Sequence, residues 1–143
     1  RKFYNYREGE LGPDQLRQHT RKVKMMTMLS EQQRDYDIAV VPAQLGMRHR
    51  GRSVRRAREV FMVHEFGLGA YEGGIILLTH PERLVHVDNL WMDLPGDEFA
   101  PVAGERFSEA PYFVFVSGGV GFDANVVDNA GGGSGSASGL LPQ

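Results

Sequence analysis

Apolar residues in the first third of the chain recur at Leu16, Val23, Met25, Met26 and Leu29, close to the 3.6-residue period of one helix face. Arg17, Arg21, Lys22, Lys24 and Arg34 take the other faces, and Pro13-Asp14 suits a first turn, where a missing amide costs nothing and an acid meets the positive end of the helix dipole. The spacing predicts a helix over 14–34. The run Ile38-Ala39-Val40-Val41 is short, β-branched and closed by Pro42, and reads as a buried strand. Ser53 is an N-cap type, and Val54, Ala57, Val60, Phe61 and His64 form a stripe, predicting a second helix over 54–66 that ends at Gly67 and Gly69.

The second half has a different rhythm. Tyr71 to Leu78 fits helix or strand equally, because Ile75-Ile76-Leu77-Leu78 carries no usable period, although Gly73-Gly74 weighs against a helix interior. Leu84 to Asp88 alternates with period two and reads as a strand. Tyr112 to Val116 and Val120 to Asp123, on either side of Ser117-Gly118-Gly119, read as a β-hairpin. From Gly131 to Gly139 only Gly, Ser and Ala occur, the composition of a flexible linker. The expected class is therefore α+β: a single domain over 1–130, an antiparallel sheet with helices 14–34 and 54–66 on one side, and a flexible Gly/Ser-rich tail over 131–143.

A chain of 143 residues can bury one ordinary core without covalent staples. The absence of cysteine excludes disulfides, thiolate metal sites and a cysteine nucleophile. No apolar run approaches bilayer-spanning length, so no membrane association is expected. With no signal-peptide pattern, a cytoplasmic setting is the expectation, and Arg1 in place of Met reads as a trimmed or processed start.

Charge changes the picture more than composition does. Six of the eleven residues from 48 to 58 are arginine, whereas the whole chain carries a net charge of −2. Residues 1–72 hold 14 basic and 9 acidic side chains (net +5), and residues 73–143 hold 2 and 9 (net −7). Guanidinium groups pair with phosphate or carboxylate oxygens through parallel donors. Arg48, Arg50, Arg52, Arg55, Arg56 and Arg58 are therefore the candidate anion-binding residues. Amides at a helix start near Ser53 are expected to join the same site. The implied function is that of a binding or assembly protein whose partner is anionic, either nucleic acid or an acidic protein surface. The opposed charges of the two halves also suit a homo-oligomer, basic half against acidic half. The competing expectation is that acids of the second half neutralise the arginines internally.

The alternative is a small metal-dependent hydrolase. Val63-His64-Glu65-Phe66-Gly67-Leu68 begins like the HExxH zinc-peptidase signature, but Leu68 stands where the second histidine is needed. A metal shell would have to combine His64 and Glu65 with His86 and Asp88. Phosphate-cradling loops and dinucleotide fingerprints are absent, and no cofactor is predicted. Trp91, Phe99, Phe107, Tyr112, Phe113 and Phe115 read as core.

Overall fold

A computed structural model describes residues 1–143. Nine strands and three α-helices build an α+β domain. The strands are β1 (Lys2–Asn5), β2 (Leu16–Gln18), β3 (Ala43–Leu45), β4 (Glu65–Gly67), β5 (Trp91–Asp93), β6 (Asp97–Phe99), β7 (Glu109–Val116), β8 (Gly119–Val126) and β9 (Ser134–Leu140). The helices are α1 (Thr20–Gln32), α2 (Val54–Val60) and α3 (Ala70–Thr79). None of them is long and apolar enough to cross a membrane. The main path of the sheet runs β1-β8-β7-β5-β9-β3, with β2 and β6 attached through β7 and β4 attached to β9. The sheet is mixed rather than antiparallel, because β1 joins β8 and β5 joins β9 in parallel.

The hairpin forms as its sequence implies. β7 and β8 pair over their full length, from Glu109↔Val126 to Val116↔Gly119. Ser117 and Gly118 make the turn with φ of 50° and 78°, the two positive values that match a tight turn to strand twist. Phe113 and Phe122 face the main core with Met92, Leu94, Met25, Leu29 and Leu77.

The first helix starts later than expected. Residues Leu16–Gln18 pair with β6 instead, and the His19 ring nitrogen Nδ1 caps α1 by accepting from the Arg21 amide at 3.2 Å. Helix α2 is also shorter than 54–66, ending at Val60. The Glu65 carboxylate accepts from the Met62 amide at 3.1 Å and folds the chain back into β4. Nor do the two helices share one side. α1 feeds the main core, whereas Val54 of α2 packs with Ala110 and Val127 in a separate cluster. Ala110 lies on the face of β7 opposite to Phe113, because side chains alternate along a strand.

Two expected strands are not strands. Ile38 and Val40 are 76% and 68% exposed, and both the amide and the carbonyl of Val40 bond the Gln33 side chain rather than a neighbouring strand. Residues 84–88 form a turn in which Asn89 Oδ1 accepts from the amides of Val85 and His86. The ambiguous segment becomes α3, and its glycine is the reason it fits. A Cβ on Gly73 would sit 2.7 Å from Leu94 Cδ2, so the missing side chain lets the helix lie directly on the sheet.

The expected flexible tail is the largest correction. Ser134–Leu140 is strand β9, central to the sheet and bonded to β5, β3 and β4. Its small residues are a packing requirement. A Cβ on Gly135 would collide with the Gly46 carbonyl, and one on Gly139 would sit 2.9 Å from the Phe66 ring. Linker composition here reflects close backbone approach, with Ala137 and Ser138 almost wholly buried.

Candidate functional site

The arginine segment runs from the connection after β3 into α2. It passes through a 3-10 turn at Met47–His49 and enters α2 at Ser53, whose Oγ accepts from the Arg56 amide at 3.1 Å as the cap. The Arg55 amide is also taken, by the Val127 carbonyl. The amides of Arg55 and Arg56 at the start of this seven-residue helix are therefore already engaged and do not serve an anion site.

The guanidinium groups fall into distinct environments. Arg58 is half-buried and donates to the carbonyls of Pro95 (3.0 Å) and Asp97 (2.9 Å), and burial lowers its pKa from the ordinary arginine value. Its role is to tie α2 to the β5–β6 connection, so it leaves the candidate surface. The other five are exposed. Arg48 lies 3.3 Å from Glu65, Arg56 pairs with Glu59 at 3.0 Å, and Arg55 pairs with Asp128. Arg50 donates only to the Gly132 carbonyl at 2.8 Å. Arg52 donates to the Arg48 carbonyl and to His49 Nδ1 at 3.0 Å. Of the six arginines, only Arg55 forms an ion pair with an acid of the second half. That pair is solvent-exposed and contributes little to stability. Internal neutralisation by the acidic half is therefore not how this segment is built.

Beneath the ridge sits a closed polar cluster. Glu65 is completely buried. Its Oε1 accepts from His49 Nε2 at 2.6 Å and from Ser138 Oγ at 2.7 Å. Because Arg52 donates to Nδ1, the histidine proton resides on Nε2, which fixes the tautomer. Burial alone would raise the Glu65 pKa, but the bonds from His49, Ser138 and the Met62 amide outweigh it and hold the group below the usual carboxylate range. Gln44 Nε2 donates to Ser138 Oγ at 2.8 Å, extending the cluster to β3. Ser138 and His49 converge on one oxygen instead of on each other, so the histidine is not placed to activate the serine. This cluster anchors the ridge to β9.

The four residues considered for a metal shell do not converge. Glu65 is consumed by the cluster just described. His86 and Asp88 pair with one another at 3.3 Å in an exposed turn, and His64 stands in the turn before β4. No group of three or more His, Asp or Glu side chains has metal-binding geometry.

A feature that the sequence did not bring forward lies beside the ridge. A cleft of about 330 Å³ opens between Val54, the polar face of the β5–β7–β8 sheet and residues 129–134. Trp91 and Asp93, two apart on β5, share a face, and Tyr112 stands directly opposite Asp93 on β7. The Trp91 and Tyr112 rings stack with centroids 5.2 Å apart and planes 11° apart. Burial pushes the Asp93 carboxyl up to about 6, against the opposing effect of a hydrogen bond from Ser134. Burial likewise pushes the Tyr112 hydroxyl up to about 12. The cleft is linked to the arginines through chain neighbours of its lining: Gly132, bonded by Arg50, sits between lining residues Gly131 and Gly133, and Asp128, paired with Arg55, precedes lining residue Asn129. Phe99 and Phe113 are core as expected, but Trp91 is 38% exposed. The alternation Trp91-Met92-Asp93-Leu94 could have indicated this, with its polar face carrying an indole and a carboxyl. Comparisons with protein-family models, curated proteins and solved structures find no match for this chain.

Proposed function

We propose that the chain is a binding or assembly protein that engages an anionic partner, specifically a nucleic acid, through Arg48, Arg50, Arg52, Arg55 and Arg56. The observation that carries this reading is that Arg50 and Arg52 are exposed and have no carboxylate partner, although the same chain holds an excess of acids. Their donors touch only carbonyls and a histidine nitrogen, which leaves the charge itself uncompensated. A guanidinium in that state gains a charge-assisted, two-pronged bond when a phosphate arrives. The anchoring of His49 by Glu65 and of Arg50 by Gly132 holds the ridge in place before binding, so less ordering entropy opposes the contact. A stacked aromatic pair beside the arginines favours nucleic acid over an acidic protein surface, since bases present π-faces that carboxylate side chains lack.

The test is the salt dependence of binding to a single-stranded oligonucleotide. Phosphate contact releases counterions, so log affinity should fall linearly with log salt, by roughly 0.7 per phosphate neutralised. The double variant Arg50→Ala/Arg52→Ala should weaken binding and shrink that slope by about 1 to 2. Unchanged affinity and slope would refute the assignment. A salt-sensitive oligomer on sedimentation, with no affinity for oligonucleotides, would make the acidic half of a second copy the partner. The metal-dependent hydrolase reading has no geometric support, given the separate engagements of Glu65 and of His86 with Asp88.

A further inference from the structure

Resting on the nucleic-acid reading above, we infer that the cleft beside the ridge receives one unpaired nucleobase, stacked on Trp91, while ridge arginines hold the flanking phosphates. The cleft volume, about 330 Å³, lies in the range of small organic ligand sites. Tyr112 lies stacked against Trp91, and the indole is 38% exposed. A base arriving at the indole extends an aromatic stack that already exists, which needs little reorganisation.

The polar lining matches a base edge. Asn129 Nδ2 donates to Asn125 Oδ1 at 2.9 Å, and the Val126 amide donates to the same oxygen. This leaves the Asn125 nitrogen and the Asn129 oxygen to meet a donor–acceptor edge. Asp93 and Ser134 add a carboxyl and a hydroxyl to the lining. Arg50 bonds the Gly132 carbonyl between lining residues Gly131 and Gly133, and Arg55 follows lining residue Val54 in the chain. A duplex cannot offer this contact without unstacking, since its bases are paired and covered. The expected ligand is therefore a single strand.

Trp91 is the only tryptophan in the chain, so its fluorescence reports the cleft directly. A single-stranded deoxyadenylate oligomer should quench it, whereas a duplex of equal phosphate number should not. In anisotropy titrations of a labelled oligomer, Trp91→Leu should weaken single-strand binding about tenfold or more, leave the salt slope unchanged, and be rescued largely by Trp91→Phe. Binding that persists with no quenching, equal affinity for duplex, and a neutral Trp91→Leu would overturn this inference and leave the arginine reading intact. Equal quenching by polyglutamate would overturn it as well, in favour of an acidic peptide. Failure of every polyanion to bind would remove both readings together.

Discussion

Replacing Asp93 by asparagine removes an ionisable group that the fold holds at a cost. In the unfolded chain its carboxyl titrates near 3.8, and in the folded protein burial raises that to about 6. The folded state therefore binds the proton more tightly, and stability falls as pH rises between those values. Below the lower value both states are protonated and the cost vanishes. Above the upper value both are ionised and the cost is complete. A difference of roughly two pKa units at 1.36 kcal/mol each gives about 3 kcal/mol. An asparagine side chain resembles the protonated acid in shape and neutrality. The Asp93→Asn variant should therefore gain up to about 3 kcal/mol over the parent above neutrality and almost nothing near pH 3.5. Urea unfolding of both proteins at matched pH values, followed by circular dichroism, measures this difference. Other carboxylates affect both proteins equally and cancel. A difference that is flat with pH, or that favours the parent at high pH, would refute the claim that Asp93 is held in a desolvated cleft without a compensating cation.

Removing the centre of the buried cluster should be costly: Glu65→Ala leaves His49, Ser138 and the Met62 amide without their acceptor, and a loss of about 3 to 5 kcal/mol in urea unfolding is expected. The glycines of the last segment should divide sharply. Gly135→Ala forces a Cβ into the Gly46 carbonyl and should strongly destabilise or prevent folding, whereas Gly132→Ala meets nothing within 4 Å and should stay within about 0.5 kcal/mol of the parent by thermal unfolding. A true linker would tolerate both equally.

What could be read from residue order alone were the features set by local rules. The Ser117-Gly118 turn, the β-branched and aromatic run before it and the Ser53 cap depend on nearest-neighbour geometry. So does the charge contrast that singles out the arginines, because counting needs no contacts. Tertiary structure decided the rest. Whether Ile38 and Val40 form a strand depends on a partner edge that the fold does not supply, and whether Ser134–Leu140 floats or fills the sheet depends on neighbours arriving from Gly46, Phe66 and Trp91. The same holds for the candidate site. Arg58 is spent on two backbone carbonyls, whereas Arg50 and Arg52 are exposed without a carboxylate partner. Trp91, Asp93 and Tyr112 meet only because β5 and β7 pair in that register. Short-range preferences are written in consecutive residues, but desolvation and charge compensation are properties of atoms that folding alone makes neighbours.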